Sequence, residues 1–150
     1  MAARNHKKAS YSARVLLVDD NPAGLVARQM VLEELGYSTS GVTCPIEALA
    51  LFAANPFDLV VTDYKMPGLT GKQLITALRE RVPSLPVILI SGYVEPLGLT
   101  EKNTGASVVI MKSANEVQQL IRAASRLLAA VRKPPGSVAG RLRRKASSSG

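Results

Sequence analysis

Five short apolar runs, separated by amphipathic segments, constrain the fold of this chain most strongly. They lie at 15–18, 37–42, 59–62, 86–90 and 108–111, the second being the least apolar. Between the first two, apolar residues recur at helical spacing, with Pro22 at the start of the predicted helix and Gly36 at its end. Strands that alternate with helices predict an α/β fold, in which a parallel sheet has right-handed crossovers and helices on both faces.

The other predicted helices differ in quality. A second helix is predicted over 45–54, and a third begins at Thr70 or Gly71 and breaks at Pro83. The fourth, within 93–105, contains one proline and two glycines, so it should be short or frayed.

The last helix has apolar residues at helical spacing from Val117 to Val131. Two starts fit its sequence. One is a capping box from Ser113 to Glu116, and the other is Asn115 as the cap.

The positive charge of the chain lies at its two ends. The net charge is +8, but residues 1–14 and 132–150 contain ten of the 19 basic residues and no acid. We therefore predict a basic N-terminal tail over 1–13, one domain over 14–131 and a disordered basic C-terminal tail over 132–150. The segment 141–145 could contact nucleic acid or an anionic membrane surface weakly, although a solubilising role is favoured.

Several classes of protein are disfavoured by composition. Cys44 is the single cysteine, so an internal disulfide is excluded and a cysteine metal cluster has no basis. No apolar run approaches the roughly 20 residues that a membrane-spanning helix needs, and the first residues do not resemble a signal peptide. These features predict a cytoplasmic protein.

Four of the five predicted strands end on polar side chains. Asp19 and Asp20 follow the first strand, Asp63 the third, Ser91 the fourth and Lys112 the fifth. Each residue has an ordinary explanation on its own, such as a turn, a helix start or a solvated charge. Because the carboxyl ends of parallel strands share one edge of the sheet, the five together predict a single site.

The chemistry of this set favours phosphoryl transfer. Three neighbouring carboxylates repel one another, so cations must offset their charge. Lys112 supplies one charge, and Mg²⁺, which takes carboxylate, water and phosphate oxygens, suits the rest. Asp63 is then a candidate nucleophile that forms an acyl phosphate.

These residues resemble the response-regulator receiver domain of two-component signalling over about 14–131. The resemblance rests on Val-Asp-Asp-Asn at 18–21, on 63–71 with Met-Pro and a final Gly, on Ile-Ser-Gly at 90–92, and on Lys112. It implies a doubly wound, flavodoxin-like sheet with strand order 2-1-3-4-5. It also implies a phosphoacceptor that is not an enzyme beyond its own phosphorylation and dephosphorylation.

The resemblance assigns a role to each site residue. Asp63 would take the phosphoryl group from a phosphohistidine of a histidine kinase or phosphotransfer protein. The implied Mg²⁺ ligands are Asp19, Asp20, Asp63 and the backbone carbonyl of Lys65. Lys112 and Ser91 would bind the phosphoryl oxygens, while Lys65 and Tyr93 stand where the family tunes dephosphorylation.

Two positions depart from the family pattern. Ser113 replaces the usual proline after the lysine, so we expect either a trans bond with a shifted loop or a strained cis bond. Val109 replaces the usual aromatic switch residue and has no ring to move. Signal relay should therefore be weak, or should use order and disorder of residues 93–105.

Other readings of the chain differ in strength. An aspartyl phosphatase would need an acid where Lys65 stands, and a flavin-binding loop would not carry the acids after the first strand. The main alternative is a receiver-like module that binds proteins without phosphate. A downstream protein partner and a homodimer are also expected candidates, and the chain is either a free-standing receiver or part of a longer protein.

Overall fold

The computed structural model describes residues 12–129, which form a five-stranded parallel sheet with helices on both faces. The strands are β1 (Arg14–Val18), β2 (Ser38–Val42), β3 (Leu59–Asp63), β4 (Val87–Ser91) and β5 (Val108–Met111). The helices are α1 (Pro22–Glu34), α2 (Pro45–Ala54), α3 (Gly71–Arg81), α4 (Val94–Leu97), α5 (Glu101–Thr104) and α6 (Glu116–Leu127). The strand order is β2-β1-β3-β4-β5, which confirms the predicted doubly wound fold.

Two apolar layers enclose the sheet. Leu25 and Leu32 of α1 pack with Leu120 of α6 against one face of the sheet. The other face packs against α2 and α3 through residues such as Phe52 and Leu74. Every residue of β3 and β4 is buried, as expected for central strands covered on both sides.

Capped helix starts fix the loops at the carboxyl edge of the sheet. The Asn21 side chain accepts hydrogen bonds from the backbone N–H groups of Ala23 and Gly24, so α1 begins directly after β1. A capping box between Thr70 and Gln73 begins α3. These caps hold the chain on both sides of the predicted site.

The weak fourth helix is confirmed as short, but the structure divides it in two. Gly98 ends α4 in the left-handed region, at φ +62°, a conformation that favours glycine. A capping box between Thr100 and Asn103 then begins α5. The Glu101 carboxylate accepts a hydrogen bond from the Val109 N–H at 2.9 Å, which ties α5 to β5.

Of the two predicted starts of the last helix, Asn115 as the cap is confirmed and the capping box is wrong. Asn115 occupies the cap position, and Ser113 Oγ accepts a hydrogen bond from the Asn115 N–H at 3.2 Å. The Glu116 carboxylate is engaged elsewhere, because it accepts a hydrogen bond from Arg28 Nε at 2.8 Å. The bond between Lys112 and Ser113 is trans. Val131, which the spacing also assigns to this helix, lies outside the described residues.

The packed structure begins before position 14. Ala13 is fully buried, and Ser12 Oγ donates a hydrogen bond to the Gly36 carbonyl at 2.6 Å. Both residues fall within the predicted N-terminal tail. The rest of that tail and the whole predicted C-terminal tail lie outside the described residues. Within 12–129, no helix is both long enough and apolar enough to cross a membrane.

Candidate functional site

Three carboxylates meet at the carboxyl edge of the sheet, as the sequence predicts. One oxygen from each of Asp19, Asp20 and Asp63 lies within 4.8 Å of the other two. Asp19 and Asp63 are buried, whereas Asp20 is exposed. The neighbouring strands β1 and β3 carry them, because Val18 pairs with Thr62 one residue before each buried acid.

Asp63 is a buried carboxylate with two donors. Its Oδ1 accepts a hydrogen bond from the Tyr64 N–H at 2.9 Å, and its Oδ2 accepts one from Lys112 Nζ at 3.1 Å. Burial raises the pKa of Asp63, with a smaller contribution from the charge of Asp19, although Lys112 opposes the shift. The Asp63 carboxylate is therefore more basic than usual, and its Oδ2 faces the ammonium group of Lys112.

Gly71 allows the loop after β3 to fold tightly beneath Asp63. A Cβ at this position would lie 2.6 Å from the Asp63 carbonyl oxygen and 2.6 Å from Leu89 Cδ1, both inside contact distance. The Gly71 N–H also donates to the Tyr64 carbonyl at 2.6 Å. The glycine is therefore required by close approach to the backbone that carries Asp63.

Ser91 and Lys112 extend the site along the sheet edge. Ser91 is the last residue of β4 and is fully buried, and its Oγ accepts a hydrogen bond from the Tyr93 N–H at 2.9 Å. Its carbonyl accepts one from the Lys112 N–H at 3.0 Å. The Lys112 side chain is 37% exposed, so its charge faces solvent as well as Asp63.

Lys65 and Tyr93 meet across the mouth of the site. Lys65 Nζ lies 4.8 Å from the centroid of the Tyr93 ring, a distance typical of a cation–π contact. Both side chains are exposed. The contact joins the loop after β3 to the loop after β4, beside the two strand ends that carry Asp63 and Ser91.

Arg28 is a site residue that the sequence analysis does not identify. Its guanidinium is buried, donates from one terminal nitrogen to Asp19 Oδ2, and donates from Nε to Glu116. Burial opposes its charge, but the two carboxylates outweigh this effect and raise the pKa of Arg28. A signal was present, since Arg28 follows Leu25 by three positions and precedes Leu32 by four, on the buried stripe of α1.

The donor set fits a hard divalent cation. Three carboxylates converge, and carboxylate oxygens are the ligands that Mg²⁺ takes in proteins. Two cationic side chains, Lys112 and Arg28, hold one oxygen each of Asp63 and Asp19. Asp20 has no ion pair among the described residues and remains exposed, so the cluster retains negative charge for a cation.

The fold and this acidic edge place the chain in a known class. Residues 15–125 match the family model of the response regulator receiver domain, so the chain belongs to that family. Proteins of this family are phosphoacceptors of two-component phosphorelay signalling rather than typical enzymes. Receiver domains bind Mg²⁺ at an acidic pocket and interact with histidine kinases.

Particular relatives include both kinases and regulators. The chain is 43% identical over 90 residues to the sensor histidine kinase GacS of Pseudomonas protegens, covering 57% of this chain and 10% of that protein. It is 33% identical over 125 residues to a gliding motility regulatory protein of Myxococcus xanthus, covering 79% of this chain and 16% of that protein. The chain thus spans a small part of the length of these relatives.

Solved receiver structures agree with the fold. The chemotaxis response regulator CheY4 of Vibrio cholerae matches with a TM-score of 0.70 at 27% identity, covering 78% of this chain and 99% of that one. The response regulator TrrA of Thermotoga maritima, in complex with Mg²⁺ and BeF, matches with a TM-score of 0.70 at 28% identity, covering 77% and 99%.

Proposed function

We propose that Asp63 accepts a phosphoryl group from a phosphohistidine in a Mg²⁺-dependent reaction and that the domain then signals through protein contacts. One observation supports this above all. The Asp63 carboxylate has an ammonium group at 3.1 Å and two further carboxylates within 4.8 Å at the same sheet edge. This combination suits a nucleophile that must receive a charged phosphoryl group.

In the proposed reaction, one oxygen of Asp63 attacks the phosphorus atom of the donor. A P–O bond forms, the P–N bond breaks, and the imidazole nitrogen keeps the electron pair. The raised pKa of Asp63 favours the attack because a more basic carboxylate is the stronger nucleophile. Mg²⁺ held by Asp19, Asp20, Asp63 and the Lys65 carbonyl would offset charge on the phosphoryl oxygens.

Lys112 and Ser91 would then hold the product. Lys112 Nζ already contacts Asp63 Oδ2 and would pair with a phosphoryl oxygen. The Ser91 Oγ accepts a hydrogen bond from the Tyr93 N–H, which leaves its own hydrogen free for donation to phosphate. A shift of Ser91 toward phosphate would pull on the start of α4, and this provides a route for the signal.

The output would involve residues 93–105 rather than an aromatic switch. Val109 has no ring, but its N–H is held by the Glu101 carboxylate of α5. Two helices of four residues each have little packing of their own, so their order can respond to small changes at Ser91. We therefore propose that phosphorylation alters the order of this segment.

The proposed partners follow from the class of protein. The donor is a histidine kinase or phosphotransfer protein, and a downstream protein reads the phosphorylated state. We further propose a cytoplasmic location and a domain that ends near 131 and is flanked by basic tails. The C-terminal tail would contact an anionic polymer or surface weakly, and a homodimer is a candidate assembly. A module that binds its partner without phosphate is the alternative, since Val109 and Ser113 both depart from the family pattern, but the intact set of acids favours the phosphoacceptor.

Intact mass spectrometry after incubation with phosphoramidate, with and without Mg²⁺, tests the proposal. An adduct of about 80 Da should form only with Mg²⁺ and should be lost in Asp63→Asn, as expected for an acyl phosphate on that residue. Asp58→Asn is the matched control, because Asp58 bonds the Arg14 N–H at the opposite end of β1 and should leave the adduct intact. A folded wild type that forms no adduct would favour the module that works without phosphate.

A further inference from the structure

We propose that Arg28 sets the affinity of the acidic site for a divalent cation, because its guanidinium is hydrogen-bonded to the Asp19 carboxylate. Glu116 binds the same guanidinium and thereby also affects the affinity for the cation. Arg28 acts here as a positioning residue. The inference rests on the proposed Mg²⁺ site, and it adds a resident cation that competes with the metal for one of its ligands.

The geometry places Arg28 between the site and α6. One terminal nitrogen donates to Asp19 Oδ2, and Nε donates to Glu116 at 2.8 Å. Both interactions are side chain to side chain, and Glu116 lies 88 positions further along the chain. The start of α6 is thereby joined to a carboxylate of the acidic cluster through one guanidinium.

The ion pair between Arg28 and Asp19 is buried, which strengthens it. The side chains of Arg28 and Asp19 are 9% and 2% exposed, so water screens their interaction little. Gly24 provides the space, since a Cβ there would lie 3.0 Å from Asp19 Oδ2 and 3.8 Å from the Arg28 guanidinium. The other oxygen of Asp19 accepts a hydrogen bond from the Asn21 N–H at 2.9 Å. Both oxygens of Asp19 therefore already have donors from the protein.

Competition follows from these contacts. A cation that binds the cluster must share Asp19 with Arg28 or displace the guanidinium from it. Displacement is feasible because Arg28 keeps a second carboxylate, that of Glu116, which is 18% exposed. If Asp19 were the single carboxylate partner of Arg28, displacement from it would leave a buried and unpaired guanidinium, which is strongly unfavourable. The pair of partners therefore lets metal binding move Arg28 toward Glu116 and α6.

Calorimetric titration of the full chain with Mg²⁺ tests the first part. Arg28→Met keeps an apolar stem but removes the charge, and it should bind Mg²⁺ about tenfold more tightly, which is ~1.4 kcal/mol. Arg28→Lys keeps the charge and should stay within about threefold of the wild type. Arg81→Met removes an equal charge from the far end of α3, roughly 15 Å along the helix from Gly71, and should change nothing.

A double-mutant cycle tests the role of Glu116. Glu116→Gln leaves Arg28 with Asp19 as its single carboxylate partner, and it should weaken Mg²⁺ binding about threefold. In the Arg28→Met background the same substitution should have much less effect, because no guanidinium remains to be redirected. Equal effects in the two backgrounds would overturn the part of the proposal that assigns Glu116 this role.

A second measurement does not depend on Arg28→Met folding. The Arg28 Nε–H resonance, identified by its loss in Arg28→Lys, should move during a Mg²⁺ titration with the midpoint that calorimetry gives. A resonance that stays fixed at saturating Mg²⁺ would overturn the proposal, as would Arg28→Met that binds Mg²⁺ no better than the wild type.

The two proposals fail differently. If the wild type binds Mg²⁺ and Asp20→Asn weakens this binding while Arg28→Met does not change it, only the role of Arg28 is wrong. If the wild type and Asp20→Asn both fail to bind Mg²⁺, the metal site itself is wrong, and the role of Arg28 is lost with it.

Discussion

Lys112 Nζ lies 3.1 Å from Asp63 Oδ2, yet the two residues are unequally buried. The Asp63 side chain is 9% exposed and the Lys112 side chain 37%. Solvent therefore partly screens the lysine charge. The effect of burial on Asp63 is larger than the opposing effect of Lys112, so the pKa of Asp63 is raised. An ionised Asp63 therefore lowers the free energy of unfolding at neutral pH, as functional residues often do.

The first prediction concerns stability. In metal-free buffer, the pKa of Asp63 is higher in the folded than in the unfolded state. The contribution of this carboxyl to the free energy of unfolding is therefore fully present below its unfolded pKa, about 3.9, and is lost as pH rises through the folded pKa. Asp63→Asn does not ionise, so it should be more stable than the wild type at pH 7 by about 0.5–2 kcal/mol. This gain should shrink as pH falls toward 4. Urea denaturation at both pH values measures it.

Asp58→Asn controls for the loss of one acid. The Asn side chain keeps an acceptor for the Arg14 N–H, so no comparable gain is expected. If Asp63→Asn is less stable than the wild type at pH 7 in metal-free buffer, the ion pair with Lys112 outweighs burial and the prediction is wrong.

The second prediction concerns Gly71. Gly71→Ala places a methyl group 2.6 Å from the Asp63 carbonyl and from Leu89 Cδ1, so backbone or core must move. We expect a loss of about 1–3 kcal/mol in the free energy of unfolding and slower adduct formation with phosphoramidate, because Asp63 moves with its carbonyl. Gly92→Ala is the matched control, since its Cβ would be 4.0 Å from Lys112. An Ala at Gly71 that leaves both quantities unchanged would contradict the close approach.

The strands, the parallel sheet and the three carboxylates at its edge were predictable from local patterns, whereas the strand order came from the resemblance to receiver domains. Apolar runs give the strands, and parallel strands bring their carboxyl ends to one edge, so Asp19 and Asp63 had to meet once β1 and β3 were neighbours. The roles assigned to these residues and to Ser91 and Lys112 stay predictions until phosphorylation is measured.

The features that the sequence analysis missed depend on contacts between distant side chains. Local pattern predicts that Glu116 either closes a capping box with Ser113 or follows Asn115 as the cap, but its carboxylate bonds Arg28 in the structure. Local pattern favours the nearby partner, whereas the folded chain offers Glu116 a buried guanidinium that no local motif reveals. Arg28 was detectable as a charge on the apolar stripe of α1, but its two partners were not.

The third prediction concerns the lifetime of the phosphorylated state. Lys65 and Tyr93 meet over the mouth of the site, with Nζ 4.8 Å from the ring centroid. If they obstruct the attacking water, Lys65→Ala and Tyr93→Ala should each shorten the lifetime of the adduct by about two- to fivefold, because water then enters without first breaking an exposed cation–π contact of ~0.5–1 kcal/mol. Time-resolved intact mass after removal of the phosphoryl donor measures it. Lys72→Ala, on the exposed face of α3, is the control, and an unchanged lifetime in both site variants would remove this role.

The fourth prediction concerns the segment 93–105. The Glu101 carboxylate holds the Val109 N–H at 2.9 Å, which links this segment to β5. Hydrogen exchange over 93–105 should increase when beryllofluoride and Mg²⁺ mimic the phosphorylated state, because Ser91 shifts toward the phosphoryl mimic and disturbs the start of α4.

Glu101→Ala should raise exchange over the same segment without the mimic, whereas Glu95→Ala, which removes an exposed acid of α4, should not. Exchange over 45–54 serves as the internal reference, because α3 packs against both α2 and α5 and so separates α2 from this segment. A protection pattern over 93–105 that the mimic leaves unchanged would rule out order and disorder as the signal and would leave a weak relay as the remaining expectation.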